Sequence, residues 1–266
     1  MINSNDIEFS SLFGWMRRAI QLASLGAGSV SPNPLVGAVV LDADEKLVGD
    51  GYHSSAGSPH AEVEALSQAG DRARDGTLFV TLEPCCHYGR TPPCTKTILK
   101  SGIRKVVVGM QDPDPRVSGG GIEFLKNSGI KVITGILEDE VAFQNREFIF
   151  RIKTGRPWGI LKCAMSMDGR IALRNGKSKW ITGEASRRKV HILRAQCDAI
   201  IVGGGTVRVD DPLLTSRGLS DPEPLRVIIT NSLNLPKQSQ IFDTSVAKTI
   251  VAYGTKAKSE LLEDFP

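Results

Sequence analysis

A chain of 266 residues with 41% hydrophobic content has room for two compact domains, each able to bury a core. Its formal net charge of +4, from 33 basic and 29 acidic residues, is too diffuse to point to nucleic acid, although a weakly basic surface suits phosphorylated small molecules. No run of about 18 apolar residues occurs, and the start lacks a basic stretch followed by an apolar one, so a cytoplasmic protein is expected.

In chain order, Leu12, Trp15, Met16, Ala19, Leu22 and Ala23 recur at helical spacing, with Ser10 or Ser11 as the cap. Ser31-Pro32-Asn33-Pro34 then makes a rigid loop that presents one amide, because each proline fixes its own backbone and disfavours helix before it. Strands over 36–41 and 46–52 flank an Asp-Ala-Asp turn and place His53 at a strand end; the alternative is that Asn33 and His53 are plain turn residues. Pro59 can start a helix that runs to Gly70, with His60 and Glu62 in its first turn. A strand over 77–82 delivers Glu83-Pro84-Cys85, a Gly/Pro-rich loop follows, and a second helix begins at Pro93-Cys94. Further strands are expected over 105–110 and 130–136, with a Gly119-Gly120-Gly121 turn between them, and 138–153 reads as one closing helix. The alternation argues for an α/β layered sheet, with a domain boundary near residue 153.

The remainder repeats the alternation without the motifs. A strand over 158–166, a turn at 167–170, a helix from Glu184 to Gln196 capped by Thr182, and strands over 198–202, 225–230 and 249–253 are expected. Gly203-Gly204-Gly205-Thr206 directly after a strand could cradle a phosphate, although such turns are common and the spaced dinucleotide fingerprint is lacking.

Chemistry concentrates between His60 and Cys94. Five cysteines, an odd number with Cys85, Cys86 and Cys94 crowded together, fit metal ligation in a reducing compartment better than a disulfide framework. His60, Cys85 and Cys94 offer three N/S ligands and leave a fourth position open, the pattern of a catalytic zinc. A zinc there would lower the pKa of a bound water from about 15.7 toward about 7, and Glu62, two residues from a ligand, could shuttle its proton to a ring nitrogen and a leaving amine. Zinc nucleobase deaminases share the His-x-Glu and later Pro-Cys arrangement, but with the second cysteine three residues on, whereas Cys85 and Cys94 are nine apart. The rival is a closed structural zinc knuckle using Cys86 or His87 as fourth ligand, which has no use for Glu62. Cys86 otherwise packs nearby, and Cys163 and Cys197 read as buried small hydrophobes.

Ser-Pro-Asn-Pro-Leu-Val-Gly, Gly-Tyr-His, His-Ala-Glu and Glu-Pro-Cys-Cys-His-Tyr-Gly-Arg-Thr-Pro-Pro-Cys together resemble the RibD family of bacterial bifunctional riboflavin biosynthesis proteins, in which a deaminase is joined to a reductase. The long loop between the cysteines is that family's variant. The resemblance implies a cytidine-deaminase-like α/β/α sandwich over 1–153 that uses Zn2+ to convert 2,5-diamino-6-(5-phosphoribosylamino)pyrimidin-4-one to 5-amino-6-(5-phosphoribosylamino)uracil. It further implies that Asn33, His53, His87, Arg90 and Asp112 bind substrate or assist the chemistry; an amide and imidazoles suit a pyrimidine edge, and an arginine suits an anion.

Leu-Lys-Cys-Ala-Met-Ser-Met-Asp-Gly-Arg-Ile-Ala, Trp-Ile-Thr-Gly and Val-Gly-Gly-Gly-Thr-Val-Arg-Val-Asp-Asp-Pro-Leu-Leu-Thr-Ser-Arg are similar to the same family's reductase. For 154–266 this implies a dihydrofolate-reductase-like α/β domain that uses NADPH to open the ribosyl ring to a ribityl chain. Ala164, Trp180, Thr206, Asp210 and Ser232 would touch NADPH, and Lys162, Ser178, Arg194, Leu214 and Arg217 the substrate. The family's reductase continues past the point matching Pro266, so a partial domain with an impaired reductase step is expected beside an active deaminase, with self-association through this segment. Two rivals stand: a zinc deaminase of nucleosides or nucleic-acid bases, and a deaminase whose second domain is purely structural.

Overall fold

The computed structural model describes residues 4–88 and 92–255. Contacts divide the chain into a unit up to Gly159 and a second from Ile160. Among the described residues no helix is long and apolar enough to cross a membrane.

In the first unit α1 (Ser4–Ala23) leads to β1 (Gly37–Leu41), β2 (Leu47–Tyr52), α2 (Ala61–Ala69) and β3 (Thr77–Leu82). Then come α3 (Cys94–Ser101), β4 (Lys105–Met110), α4 (Gly120–Asn127), β5 (Lys131–Thr134), α5 (Glu138–Gln144) and α6 (Arg146–Thr154). The five strands form one sheet in the order β2-β1-β3-β4-β5. β1 runs antiparallel to β2 and β3, and β3, β4 and β5 run parallel. Residues alternate between its two faces. Ala38, Val40, Leu78, Val80, Val106 and Val108 pack against Ala61, Ala65, Leu66 and Ala69 of α2, Ile98 of α3 and Leu125 of α4. Val39, Leu41, Phe79 and Val107 pack against Leu12, Met16 and Ala19 of α1 on the other side. The unit is therefore the expected α/β/α sandwich, and its central strands are buried along nearly all their length because helices cover both faces.

Several boundaries differ from the sequence reading. α1 begins at Ser4, so Ser10 and Ser11 lie inside it and cannot cap it. The glycine triplet at 119–121 is a helix start, with Gly119 as N-cap. The expected single helix over 138–153 is two, interrupted at Asn145. Asn145 is buried and bonds both polar atoms of one distant residue: its Oδ1 accepts from the Leu35 N–H at 2.8 Å, and its Nδ2 donates to the Leu35 carbonyl at 3.0 Å. A side chain that satisfies another segment's backbone this fully outweighs helix continuity. The consequence is functional, because the clamped residue belongs to the Pro-Asn-Pro-Leu loop that carries Asn33.

The second unit contains α7 (Glu184–Ala195), β6 (Ala199–Gly203), α8 (Gly204–Asp210), β7 (Leu225–Thr230) and β8 (Thr249–Tyr253), with a parallel sheet in the order β6-β7-β8. Its core joins Val207, Leu214, Ile228, Leu235, Ile241 and Phe242. Arg226 is fully buried on β7, its guanidinium donating to the carbonyls of Leu213, Gln240, Asp243 and Ala247. Three expectations fail here. Residues 158–166 form no strand, since their described backbone bonds are local, as in Ser166 N–H to Arg170 O at 2.9 Å, and a strand needs a ladder partner. Cys163 on that segment is accordingly exposed and Cys197 only half-buried. α7 starts after Gly183, so Thr182 is not its cap.

Asn145→Ala should lower the urea midpoint of unfolding by the equivalent of about 1–3 kcal/mol, because two backbone groups of Leu35 lose their partner together. Equilibrium unfolding followed by far-UV circular dichroism measures it.

Candidate active site

His60 is not in the first turn of α2 but at its N-cap, with φ −72° and ψ 157°. Its carbonyl accepts from the N–H groups of Val63 and Glu64, while the extended backbone aims the ring away from the helix axis. Glu62 lies in the first turn and is buried. Cys85 follows the end of β3, and Cys94 is the first residue of α3. The chain thus brings one helix start, one strand end and another helix start to a point.

The His60 Nδ1 and the Cys85 and Cys94 sulfurs all lie within 4.8 Å of one another. His60 Nδ1 is 3.1 Å from Cys94 Sγ and 3.7 Å from Cys85 Sγ. Donors on a tetrahedral zinc are separated by about 3.5–3.8 Å, so this donor set fits that ion. Cys86 is absent from the triad and presses instead on Gly120 of α4, and His87 is exposed, so neither completes a four-ligand knuckle here.

The electrostatics suit ligation. The Cys85 thiol is pushed down to about 4, first by the hydrogen bond from the Cys94 thiol, with His60 and the Cys94 backbone N–H assisting. That same contact and burial push Cys94 up, so the two sulfurs share one proton. The bond to Cys85 raises His60. Desolvation pushes Glu62 up to about 7, opposed by the neighbouring His60. A carboxyl with that pKa gives up and takes back a proton near neutral pH, as a general acid and base must.

Beside the triad, His53 is buried and meets His60 edge to face at 5.6 Å between ring centres. Its Nδ1 lies 3.1 Å from the Pro59 carbonyl, which can only accept, so Nδ1 carries the proton. Nε2 is then the acceptor for Asn33 Nδ2 at 3.1 Å, which leaves the Asn33 Oδ1 as the atom that can accept from a ligand amine or ring N–H. Burial lowers the His53 pKa, in keeping with the neutral ring this relay needs.

A second group lies along the chain beyond Cys85. Asp112 is buried just past β4 and raised to about 6, chiefly by desolvation. His87 is close enough to Asp112 and Asp114 to act on both charges. Arg90 lies outside the described residues. Sequence reasoning passed over Glu83, whose buried carboxylate accepts from four backbone N–H groups: Asp112 at 3.2 Å, Gly119 at 2.9 Å, Gly121 at 3.0 Å and Ile122 at 3.1 Å. The signal was present as a carboxylate ahead of Pro-Cys and a glycine triplet far along the chain, but nothing local connects them.

In the second unit the expected residues are less gathered. Lys162, Trp180, Thr206, Arg217 and Ser232 are exposed, and Ala164, Ser178 and Asp210 are partly buried. The Trp180 ring carries the Arg187 guanidinium at 4.5 Å. Leu214 is a core side chain, packed with Val207 and Ile228, so only its backbone is left to meet a ligand. Arg194 and His191 both reach the Thr215 carbonyl, at 3.2 and 3.4 Å, and each feels the charge of Arg217. His191 was not anticipated.

Residues 11–110 match the cytidine and deoxycytidylate deaminase zinc-binding region, and residues 157–266 match the RibD C-terminal domain. The chain is 52% identical over 236 residues to riboflavin biosynthesis protein RibD of Synechocystis sp., covering 89% of this chain and 64% of that protein. It is 47% identical over 250 residues to RibD of Aquifex aeolicus, covering 94% of this chain and 69% of that one. It therefore spans about two thirds of the length of these relatives. Among solved structures, Acinetobacter baumannii RibD superposes with a TM-score of 0.86 at 44% identity, over 96% of this chain and 72% of that one. A Thermotoga maritima diaminohydroxyphosphoribosylaminopyrimidine deaminase/5-amino-6-(5-phosphoribosylamino)uracil reductase gives 0.87 at 44% identity, over 94% and 71%.

Two outcomes follow from this geometry. The purified protein should hold about one zinc per chain by elemental analysis, and His60→Ala or Cys94→Ser should lose it. Because the Asp112 pKa is raised to about 6, the stability it contributes is complete below its unfolded value and lost as pH rises through 6. Asp112→Asn should therefore melt above the parent at pH 7.5, by the equivalent of about 1–3 kcal/mol, with the gap closing toward pH 5.

Proposed function

The chain belongs to the RibD family, and from that membership we propose that its first unit removes the 2-amino group of 2,5-diamino-6-(5-phosphoribosylamino)pyrimidin-4-one, releasing ammonia and 5-amino-6-(5-phosphoribosylamino)uracil for riboflavin synthesis. The observation that carries this reading is the buried Glu62 beside three converging N/S donors, His60, Cys85 and Cys94.

Those three residues would hold zinc, which when bound acts as a Lewis acid that makes water a nucleophile near neutral pH. Glu62 takes one proton from the attacking water and delivers it to the ring nitrogen, then takes the second from the new hydroxyl and delivers it to the leaving amine, so that the carbon exchanges an amino group for a carbonyl oxygen and ammonia departs. Asn33, with its amide polarity set by His53, accepts from the substrate's N–H groups at the reacting edge. His87 and Asp112 bind the substrate beyond Cys85, and Arg90 offers a partner for an anionic group.

For the second unit we propose participation in the following reduction of the ribosylamino group to the ribitylamino chain. Ala164, Trp180, Thr206, Asp210 and Ser232 would face NADPH, whose chemistry when bound is hydride donation. Lys162, Ser178, Arg194, Arg217 and the backbone of Leu214 would face the substrate. Arg194 and His191 meet at the Thr215 carbonyl, and Arg194 and Arg217 offer guanidiniums of the kind that binds an anionic group. The reading includes a cytoplasmic enzyme of small molecules, self-associating through its second unit.

Ammonia release from the diaminopyrimidine phosphate tests the proposal. Glu62→Gln should cut kcat by on the order of 10²–10⁴-fold while zinc stays bound and melting is not lowered. Ammonia from cytidine or a cytosine oligonucleotide, with none from the phosphoribosylaminopyrimidine, would overturn the substrate assignment.

A further inference from the structure

Glu83 stands between the two halves of the site. It follows β3 directly, two residues before the ligand Cys85, and its own N–H donates to the Met110 carbonyl at 3.0 Å, so β3 and β4 end side by side. Each carboxylate oxygen accepts two backbone N–H groups: Oε2 those of Asp112 and Gly119, Oε1 those of Gly121 and Ile122. With its acceptor positions filled in this way and only 4% of the residue exposed, it has no capacity left to touch a substrate. Its partners are instead the residue read as substrate-binding and three N–H groups at the start of α4, those of Gly119, Gly121 and Ile122, a place that favours an anion.

The glycines exist for this contact. A Cβ on Gly121 would run into the Pro84 carbonyl oxygen, and one on Gly120 would crowd the Cys86 sulfur at 2.9 Å. Gly119 has φ +79°, in the left-handed region. Backbone this close leaves the 111–122 segment no room to shift against Glu83-Pro84-Cys85 while the carboxylate holds. Asp112 in turn accepts from the Asp114 N–H at 2.8 Å, so its carboxyl direction is fixed by the same segment.

We propose that Glu83 is a positioning residue that holds Asp112 in register with the ligand Cys85, so that substrate binding on the Asp112 side and chemistry on the metal side share one frame. This rests on the deaminase reading given above. It assigns Glu83 no proton transfer and no ligation.

The test compares the full chain with Glu83→Gln, Asp112→Asn and the double variant. In Gln the amide N–H2 would face backbone donors that the second carboxylate oxygen had satisfied, so half the bracket fails with little change of volume. Hydrogen exchange should rise about tenfold in peptides covering 112–122 and stay unchanged in those of α2 and β1. In ammonia-release kinetics KM should rise about 10- to 100-fold with kcat within about threefold and zinc still bound. Adding Glu83→Gln to Asp112→Asn should then cost little more, since both act through one contact. Unchanged exchange at 112–122, a rise throughout the unit, failure of Glu83→Gln to fold, lost zinc, or fully additive KM effects would each overturn the proposal. If the parent chain releases no ammonia while exchange responds as expected, the deaminase reading fails and the bracket stands.

Discussion

The first two backbone N–H groups of α3 both donate to Cys85, that of Cys94 to its sulfur at 3.3 Å and that of Thr95 to its carbonyl at 3.2 Å. A helix start normally leaves such groups to water or a cap, and Pro93 as N-cap provides no side-chain bond. Giving them to a cysteine does two things together. It docks α3 onto the end of β3, and it favours the thiolate on Cys85 before any metal arrives. The placement of Cys85 against Cys94 is therefore tied to backbone hydrogen bonds at the start of α3.

That arrangement depends on where the strands end. β3 and β4 are parallel and in register through Leu82 and Met110, so the segments leaving their carboxyl ends are neighbours. In parallel α/β sheets the crevice beyond the carboxyl ends is where ligands bind, because helix N-termini return there. Here α2, α3 and α4 supply His60 at an N-cap, Cys94 at a first turn and the glycine start that Glu83 occupies. The reversed β1 begins at this same end and β2 finishes there, so they contribute the Leu35 loop and His53, which Asn145 and Pro59 hold in place.

Much of this was readable from sequence because the relevant signals are local. The strands 77–82, 105–110, 225–230 and 249–253 were expected where they occur, being apolar runs bounded by turn residues. His60, Cys85 and Cys94 could be joined because N/S donors near helix starts suggest a metal. What stayed hidden depends on pairing at a distance: Glu83 with residues 112–122, Asn145 with Leu35, and the failure of 158–166 to find a ladder partner. Burial was similarly hard to judge. β1 and β6 both read as continuous apolar runs, yet β1 is covered on both faces while β6 alternates, with Ile201 62% exposed. A run of apolar residues records what a strand could bury, and only its neighbours decide how much it does.

Two carboxylates at the same depth show how environment separates roles. Glu62 and Glu83 are each nearly inaccessible, at 3% and 4%. Glu83 is surrounded by four N–H donors in fixed directions, which bind the charge and remove any reason for it to move. Glu62 is set against an imidazole and two thiols, where desolvation opposes its charge and the pKa climbs to about 7. The first environment holds a carboxylate in fixed bonds, and the second raises the pKa of one toward neutrality. Without the carboxylate after β3, the start of α4 would lose the acceptor that ties it to the end of that strand.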